Sequence, residues 1–298
     1  MTTDTVIYAP ATLQDEVAKR LAGMSVSVKT TSNGHLPPPP PAKMGKVIVV
    51  VSPKGGSGKT AVASNLAACL AMHFPGRVAA LDLDVQFGDM CTSLGLHPEH
   101  NLAELAQSNQ VDATTIKLFL TPYDPGLYVL CGARTPAEAD LVTHEHVSRV
   151  IPMLAADFDY VVVDTPAGLD ERTLSALECA SELLMVSSLD ITSIRSLRKA
   201  VEAMDALGLT KARRFVLNRA DAKVGISPAD AAEAVGWPIE CTIPTAREIP
   251  FSMNVGSPVV KLHPRSAVAK QIVQLTQLFA PTIGSGRPKR RSFRRAAR

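Results

Sequence analysis

The sequence predicts an α/β fold, a mostly parallel sheet flanked by helices, and three observations carry that prediction. Short unbroken apolar runs such as Val47-Ile48-Val49-Val50-Val51 recur along the chain, the pattern of strands buried on both faces. Stretches of helical composition separate them, so strand and helix alternate. Several of the runs end in glycines or carboxylates, at the edge where open parallel sheets bind ligands.

The run at 47–51 passes directly into Ser52-Pro53-Lys54-Gly55-Gly56-Ser57-Gly58-Lys59-Thr60, and residues 61–70 that follow have helical composition. Strand, glycine-rich turn and helix, in that order, make a phosphate-binding loop. The glycines let backbone N–H groups curl around an anion, and the new helix points its positive end at the same spot. In such a loop Lys59 reaches the β- and γ-phosphates and the Thr60 hydroxyl holds Mg²⁺. The ordinary form of the motif has a glycine at the position of Pro53; beside it this chain carries a second lysine, Lys54.

Next, 78–81 reads as a buried strand ending in Asp82-Leu83-Asp84-Val85-Gln86-Phe87-Gly88-Asp89. Residues 102–106 read as helix, 127–132 as strand and 144–156 as helix. The second strong motif is Asp159-Tyr160-Val161-Val162-Val163-Asp164-Thr165-Pro166-Ala167-Gly168. Four apolar residues ending in Asp164 form a Walker B pattern, whose carboxylate supports a Mg²⁺ shell. Alone, such a stretch is better read as a strand ending in an Asp-capped turn; downstream of a phosphate loop it gains its meaning.

Residues 174–180 then read as helix, 182–187 as strand, and 193–207 as a helix ended by Gly208. The strand at 214–218 closes on Asn218 and is followed by Arg219-Ala220-Asp221. Ser227-Pro228 suit the cap and first turn of a helix over 226–235. A short strand at 239–243 leads to Pro244, and 266–279 reads as the closing helix. No internal repeat is visible.

The expected organisation is a short N-terminal segment with a proline-rich linker (1–45), an ATPase domain (46–283) and a basic, disordered tail (284–298). In the first segment 6–9 and 26–28 read as strands and 14–22 as a short helix. The prolines at 37–41 favour extended polyproline II and act as a spacer. The 298 residues, 46% apolar and 20% charged, suit a soluble globular protein with ample core. No run approaches the ~20 apolar residues of a membrane span, and the first ten residues lack a secretory signal. Five cysteines stand singly in apolar surroundings, so reduced buried thiols and a cytoplasmic location are expected. The net charge of +3 is local in origin: from Arg287 onward seven residues are basic and none acidic. Without them 24 basic residues stand against 28 acidic ones, so the body is negative and only the tail is positive.

The pattern Lys54-Gly55-Gly56-Ser57-Gly58-Lys59-Thr60 resembles the deviant Walker A loop of the ParA/MinD family of ATPases. The resemblance spans about residues 46 to 280. It implies that Lys54 is the signature lysine, reaching across a dimer interface to the partner's nucleotide, so that a slow, dimer-dependent ATP hydrolysis is expected. It implies that Asp84 positions the attacking water, with Asp82 closer to the metal beside Thr60 and Asp164. The alternative for Asp84 is an ordinary cap of the following helix. The resemblance places Asn218 and Arg219 at the adenine, with Pro244 and the residues to Arg247 lining the base from the other side. Ala61 departs from relatives that carry a second threonine at the α-phosphate.

The run 82–89, with Ile249-Pro250-Phe251-Ser252, Gly256-Ser257-Pro258-Val259-Val260 and Pro264-Arg265-Ser266, is most similar to the CpaE/TadZ branch, which localises Flp/Tad pilus secretion machinery. That branch usually carries a receiver-like N-terminal domain, for which the residues ahead of the loop are too few. The implied function is an ATP-driven homodimeric switch that positions a membrane-associated assembly, with ATP and Mg²⁺ as cofactors, a polar or septal partner protein, and a cytoplasmic location, peripheral at the inner face of the membrane. A MinD-like septum-site or ParA-like DNA-partitioning ATPase is the alternative, and a nucleotide-binding pseudo-ATPase scaffold a further one. Cysteine-ligated redox relatives of the fold are disfavoured by the absence of any Cys-x-x-Cys. The basic stretch 287–298 offers contact to anionic lipid or DNA through charge alone, or is a solvated tail.

Overall fold

The computed structural model of the protein describes residues 5–8, 26–29, 44–108, 111–222 and 224–283. The expected helix at 14–22, the prolines at 37–41 and the basic tail lie outside them. The described residues fall into two compact units, one within 1–43 and one beginning at Met44. In the first, β1 (Thr5–Tyr8) and β2 (Val26–Lys29) pair in parallel.

The second unit holds, in chain order, β3 (Lys46–Ser52), α1 (Lys59–His73), β4 (Val78–Asp82), α2 (Met90–Ser93), α3 (Leu102–Ala106), α4 (Ala113–Leu118), β5 (Thr121–Tyr123) and β6 (Leu127–Leu130). Then come α5 (Pro136–Ala139), α6 (His144–Asp157), β7 (Tyr160–Ala167), α7 (Glu171–Cys179), β8 (Glu182–Ser188), α8 (Ile191–Ala206) and β9 (Ala212–Asn218). The chain continues through α9 (Pro228–Val235), β10 (Ile239–Ile243), α10 (Glu248–Val255), α11 (Val259–Leu262) and α12 (Ala267–Phe279). Eight strands form one sheet in the order β10-β9-β8-β3-β7-β4-β6-β5, all parallel except the antiparallel edge pair β5–β6. The predicted fold class holds.

The period-2 alternation of β3 sorts its side chains onto two cores. Val47, Val49 and Val51 face α6, α7 and α8, where Leu154, Leu177 and Leu197 meet them. Ile48 and Val50 face α1 and α12, packing with Leu66, Leu70, Ile272 and Phe279. The helix α1 is buried nearly all round, from Ala61 to Ala71, as its polar-poor sequence requires. At about 25 cal/mol per Å² of buried apolar surface, each fully buried Val, Ile or Leu here stabilises the fold by ~1.5–3 kcal/mol relative to exposure.

Among the described residues no helix is long and apolar enough to cross a membrane. One expectation is overturned: the structure joins Cys91 and Cys131 as a disulfide, with Cα atoms 6.0 Å apart, and leaves Cys69, Cys179 and Cys241 free. The two lie 40 positions apart, on α2 and just past β6. Sequence spacing could not show that adjacent strands β4 and β6 bring them together.

Candidate nucleotide site

All the parallel strands point their C-terminal ends at one edge of the sheet, and there the predicted motifs converge. β3 gives way to the loop 53–58, and α1 opens on Lys59 with Gly58 as its cap in the left-handed region, φ 89°. The positive φ calls for glycine, and a Cβ at Gly58 would stand 2.3 Å from the Asn218 amide nitrogen and displace that side chain. The loop wraps a cavity of about 620 Å³, the size of a cofactor or nucleotide pocket.

Gly55, Gly56, Gly58, Lys59, Thr60 and Ala61 line the loop end of this cavity. The first backbone N–H groups of α1 have no carbonyl within the helix to bond and face it with the helix's positive end. Lys59 is 8% exposed. Burial lowers its pKa, while the nearby Asp164 and Asp84 charges raise it and keep an ammonium in place.

Asp82 ends β4 and is paired in register with Asp164, which lies within β7. Both are buried, yet their situations differ. The Asp82 carboxylate accepts the N–H groups of Asp84 at 3.1 Å and Met90 at 3.2 Å. Neither oxygen of Asp164 has a hydrogen bond of normal geometry, although the Thr60 hydroxyl is its near neighbour. Burial pushes the Asp164 carboxyl up to about 7 against the lowering effects of Thr60 and Lys59. Burial, and then the Asp164 charge, raises Asp82. Ser57 Oγ is likewise buried without a partner. Orphaned buried oxygens beside an ammonium and a helix N-terminus fit a Mg²⁺-bound polyphosphate, which would supply their missing contacts.

Asp84 lines the cavity. It is not the cap of the next helix; Asp89 holds that position on α2. Its side chain accepts only the Phe87 N–H, at 3.4 Å, which leaves the carboxylate available to the cavity.

Lys54 behaves otherwise. It does not line the cavity; its ammonium donates to Thr192 Oγ1 at 2.7 Å and lies 3.6 Å from Asp190 Oδ1. Ser57, Asp82 and Asp164 also stand behind the cavity wall rather than in it.

At the other end the cavity is lined by Asn218, Arg219 and the run from Pro244 to Arg247. Asn218 donates its amide to the Ser57 carbonyl at 2.8 Å, and its Oδ1 accepts the Arg219 N–H at 3.0 Å. Arg219 takes φ 54°, rare for a residue with a side chain. Asp221 accepts the Thr245 N–H at 2.6 Å and ties the two loops together. Sequence reasoning missed Phe87, Ile249, Pro250 and Met253, which complete the apolar wall. Their signal was present as a short run with Pro250 in the first turn of α10, where a missing N–H costs nothing. Behind that wall Gly95 and Gly256 pack backbone to backbone. A Cβ on Gly256 would stand 2.5 Å from the Gly95 Cα.

A family model described as an AAA domain matches residues 45–215, more than half of the chain. The ParA family ATPase of Chlorobium tepidum is 27% identical with a TM-score of 0.74, over 78% of this chain and 98% of that one. The septum site-determining protein MinD of Pyrococcus horikoshii, solved with Mg-ADP, is 26% identical with a TM-score of 0.72, over 81% and 98%. A putative septum site-determining protein MinD of Emiliania huxleyi is 29% identical over 73% of this chain and 80% of its own length. With the glycine loop, the paired aspartates and the sheet order already in place, these likenesses show that the chain belongs to the ParA/MinD family of AAA-domain ATPases.

Proposed function

We propose that this protein binds Mg-ATP in the cavity, hydrolyses it slowly as a homodimer, and uses that cycle to position a cellular assembly. The observation that carries the reading is the contrast between the two loop lysines. Lys59 is buried against the loop end of its own cavity, whereas Lys54 is turned out of it. A lysine that cannot serve its own nucleotide without rearrangement is suited to a partner's.

In this reading Lys59 and the backbone of residues 55–61 bind the phosphates, and Asn218, Arg219 and Pro244 flank the base. Asp84 holds a water at the open end of the cavity through its free carboxylate oxygen. Thr60 and Asp164 would hold Mg²⁺, with Asp82 behind them, and the ion supplies charge neutralisation for the phosphates. Lys54 of each subunit adds positive charge to the other's nucleotide, so hydrolysis depends on pairing.

The assembly positioned is, on the sequence motifs at 82–89 and 249–260, pilus secretion machinery of the CpaE/TadZ type. Septum-site positioning is the second reading, favoured by relatives named MinD. The location of a fluorescent fusion, at a pole or at the septum, separates them. Lys54→Ala tests the common core of both. It should bind Mg-ATP within about twofold of wild type and lose ATP-dependent dimers and turnover, about a hundredfold in rate. Wild-type turnover in that variant would remove the partner-directed role.

A further inference from the structure

The disulfide between Cys91 and Cys131 closes beside the nucleotide cavity, at the end of the segment that carries Asp84. Cys91 sits in α2, a helix of one turn, which has little stability of its own. Cys131 is firmly held: it is 2% exposed, and its carbonyl accepts the Leu102 N–H at 2.8 Å. Between β4 and α2 the chain wraps closely around the Asp82 carboxylate, which accepts the Asp84 and Met90 N–H groups at 3.1 and 3.2 Å. A Cβ on Gly88 would stand 2.5 Å from both Asp82 Oδ2 and the Asp84 carbonyl oxygen. The other end of the disulfide adjoins the same wrap. A Cβ on Gly132 would lie 3.4 Å from the Asp82 carbonyl oxygen and 3.5 Å from the Val85 Cα.

Asp84, Phe87 and Asp89 of this wrap line the cavity, and residues 86–89 are exposed. The buried Val85 and Met90 side chains and two hydrogen bonds near the long end of the usual range hold it to the sheet. The covalent tie stands one residue beyond Met90. The fold does not need that tie as a staple: two extensive cores hold the sheet, and Cys69, Cys179 and Cys241 are left free.

We propose that Cys91–Cys131 is a redox-sensitive clamp on the Asp84 segment: closed, it holds Asp84 at the cavity, and opened, it frees the segment and slows hydrolysis. The inference rests on the ATPase reading above, in which Asp84 holds the water, and adds its regulation. The co-reactant is a low-molecular-weight thiol. Its thiolate attacks the sulfur of the partly exposed Cys91, and the Cys131 sulfur leaves and takes up a proton. A second thiolate attacks the outer sulfur of the mixed disulfide, and Cys91 leaves and is protonated in turn. Two electrons and two protons thus pass to the protein, and the two external thiols end as one disulfide. That disulfide runs the exchange backwards.

The full chain is equilibrated with mixtures of reduced and oxidised glutathione, and the state of each cysteine is read by alkylation and mass spectrometry. Excess reduced glutathione should open Cys91–Cys131, and oxidised glutathione should close it again. In the opened form, hydrogen–deuterium exchange over residues 83–94 should run about tenfold faster, and turnover of Mg-ATP should fall about three- to tenfold. Cys91→Ala should show the slower turnover in both buffers, and Cys131→Ala is a second route to the same state. A bond that stays closed in excess reduced glutathione would overturn the switch. A bond that opens with unchanged exchange over 83–94 would overturn the clamp. Faster exchange with unmoved or higher turnover would overturn its control of hydrolysis. Oxidised wild-type protein that turns over no ATP would remove the ATPase reading and that control with it, while the exchange measurement would still decide the clamp.

Discussion

The two ends of the sheet are built on opposite electrostatic principles. At the N-terminal ends of the strands, Glu182 receives Lys46 at 2.6 Å and Arg214 at 2.6 Å, and Arg214 also reaches Glu240 at 2.9 Å. Lys46 further donates to the Phe279 carbonyl at 3.2 Å, and the Arg214 guanidinium lies over the Phe279 ring. Each of these charges is matched within the protein. At the C-terminal ends, Asp164 is buried without hydrogen bonds, beside the buried Asp82 and the buried Lys59. One end spends its charges on holding strands β3, β8, β9 and β10 together; the other leaves the Asp164 carboxylate without a hydrogen bond of normal geometry. Stability and function are separated along the strand direction.

The largest test of that separation is Lys59→Ala. It should weaken Mg-ATP binding about a hundredfold or more by calorimetry, since it removes the ammonium facing the phosphates. Retained affinity would take the functional role away from this end of the sheet. Glu182→Ala should do the reverse. Lys46 and Arg214 lose their common partner, and unfolding in urea should show a loss of about 2 kcal/mol, below that of a fully buried pair because both cations keep some solvent. Nucleotide affinity should stay as it was.

The smallest effect is the most diagnostic. The Asp164 carboxyl, raised to about 7 by burial, holds a proton in the folded protein that the unfolded chain gives up near pH 4. Stability of the nucleotide-free protein therefore falls as pH rises from about 4 through 7. Asp164→Asn should flatten this dependence and raise the melting temperature at pH 8.5 without Mg²⁺, a gain of about 1 kcal/mol. A variant less stable than wild type at that pH would mean that the carboxylate is satisfied after all, and the contrast between the two ends would fail.

Much of this was legible in the chain itself. The strands at 47–51 and 160–163 declare themselves by unbroken apolar runs, because a parallel sheet covered on both faces leaves no polar alternation, and the strand at 214–218 by Phe215-Val216-Leu217 between Arg214 and Asn218. Lys59, Thr60, Asp84 and Asp164 stand out because their chemistry is tied to strand ends. The short helices at Met90–Ser93, Pro136–Ala139 and Val259–Leu262 did not, since one turn of helix has no period to detect. The edge strand Thr121–Tyr123 was hidden for the same reason and contains a proline that only an edge tolerates. Asp190 and Thr192 read as an ordinary helix start; only the fold shows that Lys54, 138 positions earlier than Thr192, comes to rest on them. The pairing of Cys91 with Cys131 was equally out of reach, because it depends on which strands are neighbours.

The contact of Gly95 with Gly256 has a mechanical consequence. Gly95 follows α2, and α2 follows the segment that carries Asp84; Gly256 ends α10, whose first turns wall the base side of the cleft. Backbone rests on backbone there, with no side chain between to flex or rotate. A shift of the segment that carries Asp84 would therefore pass to the α10 wall of the cleft through main chain alone, with no side chain to take up the movement.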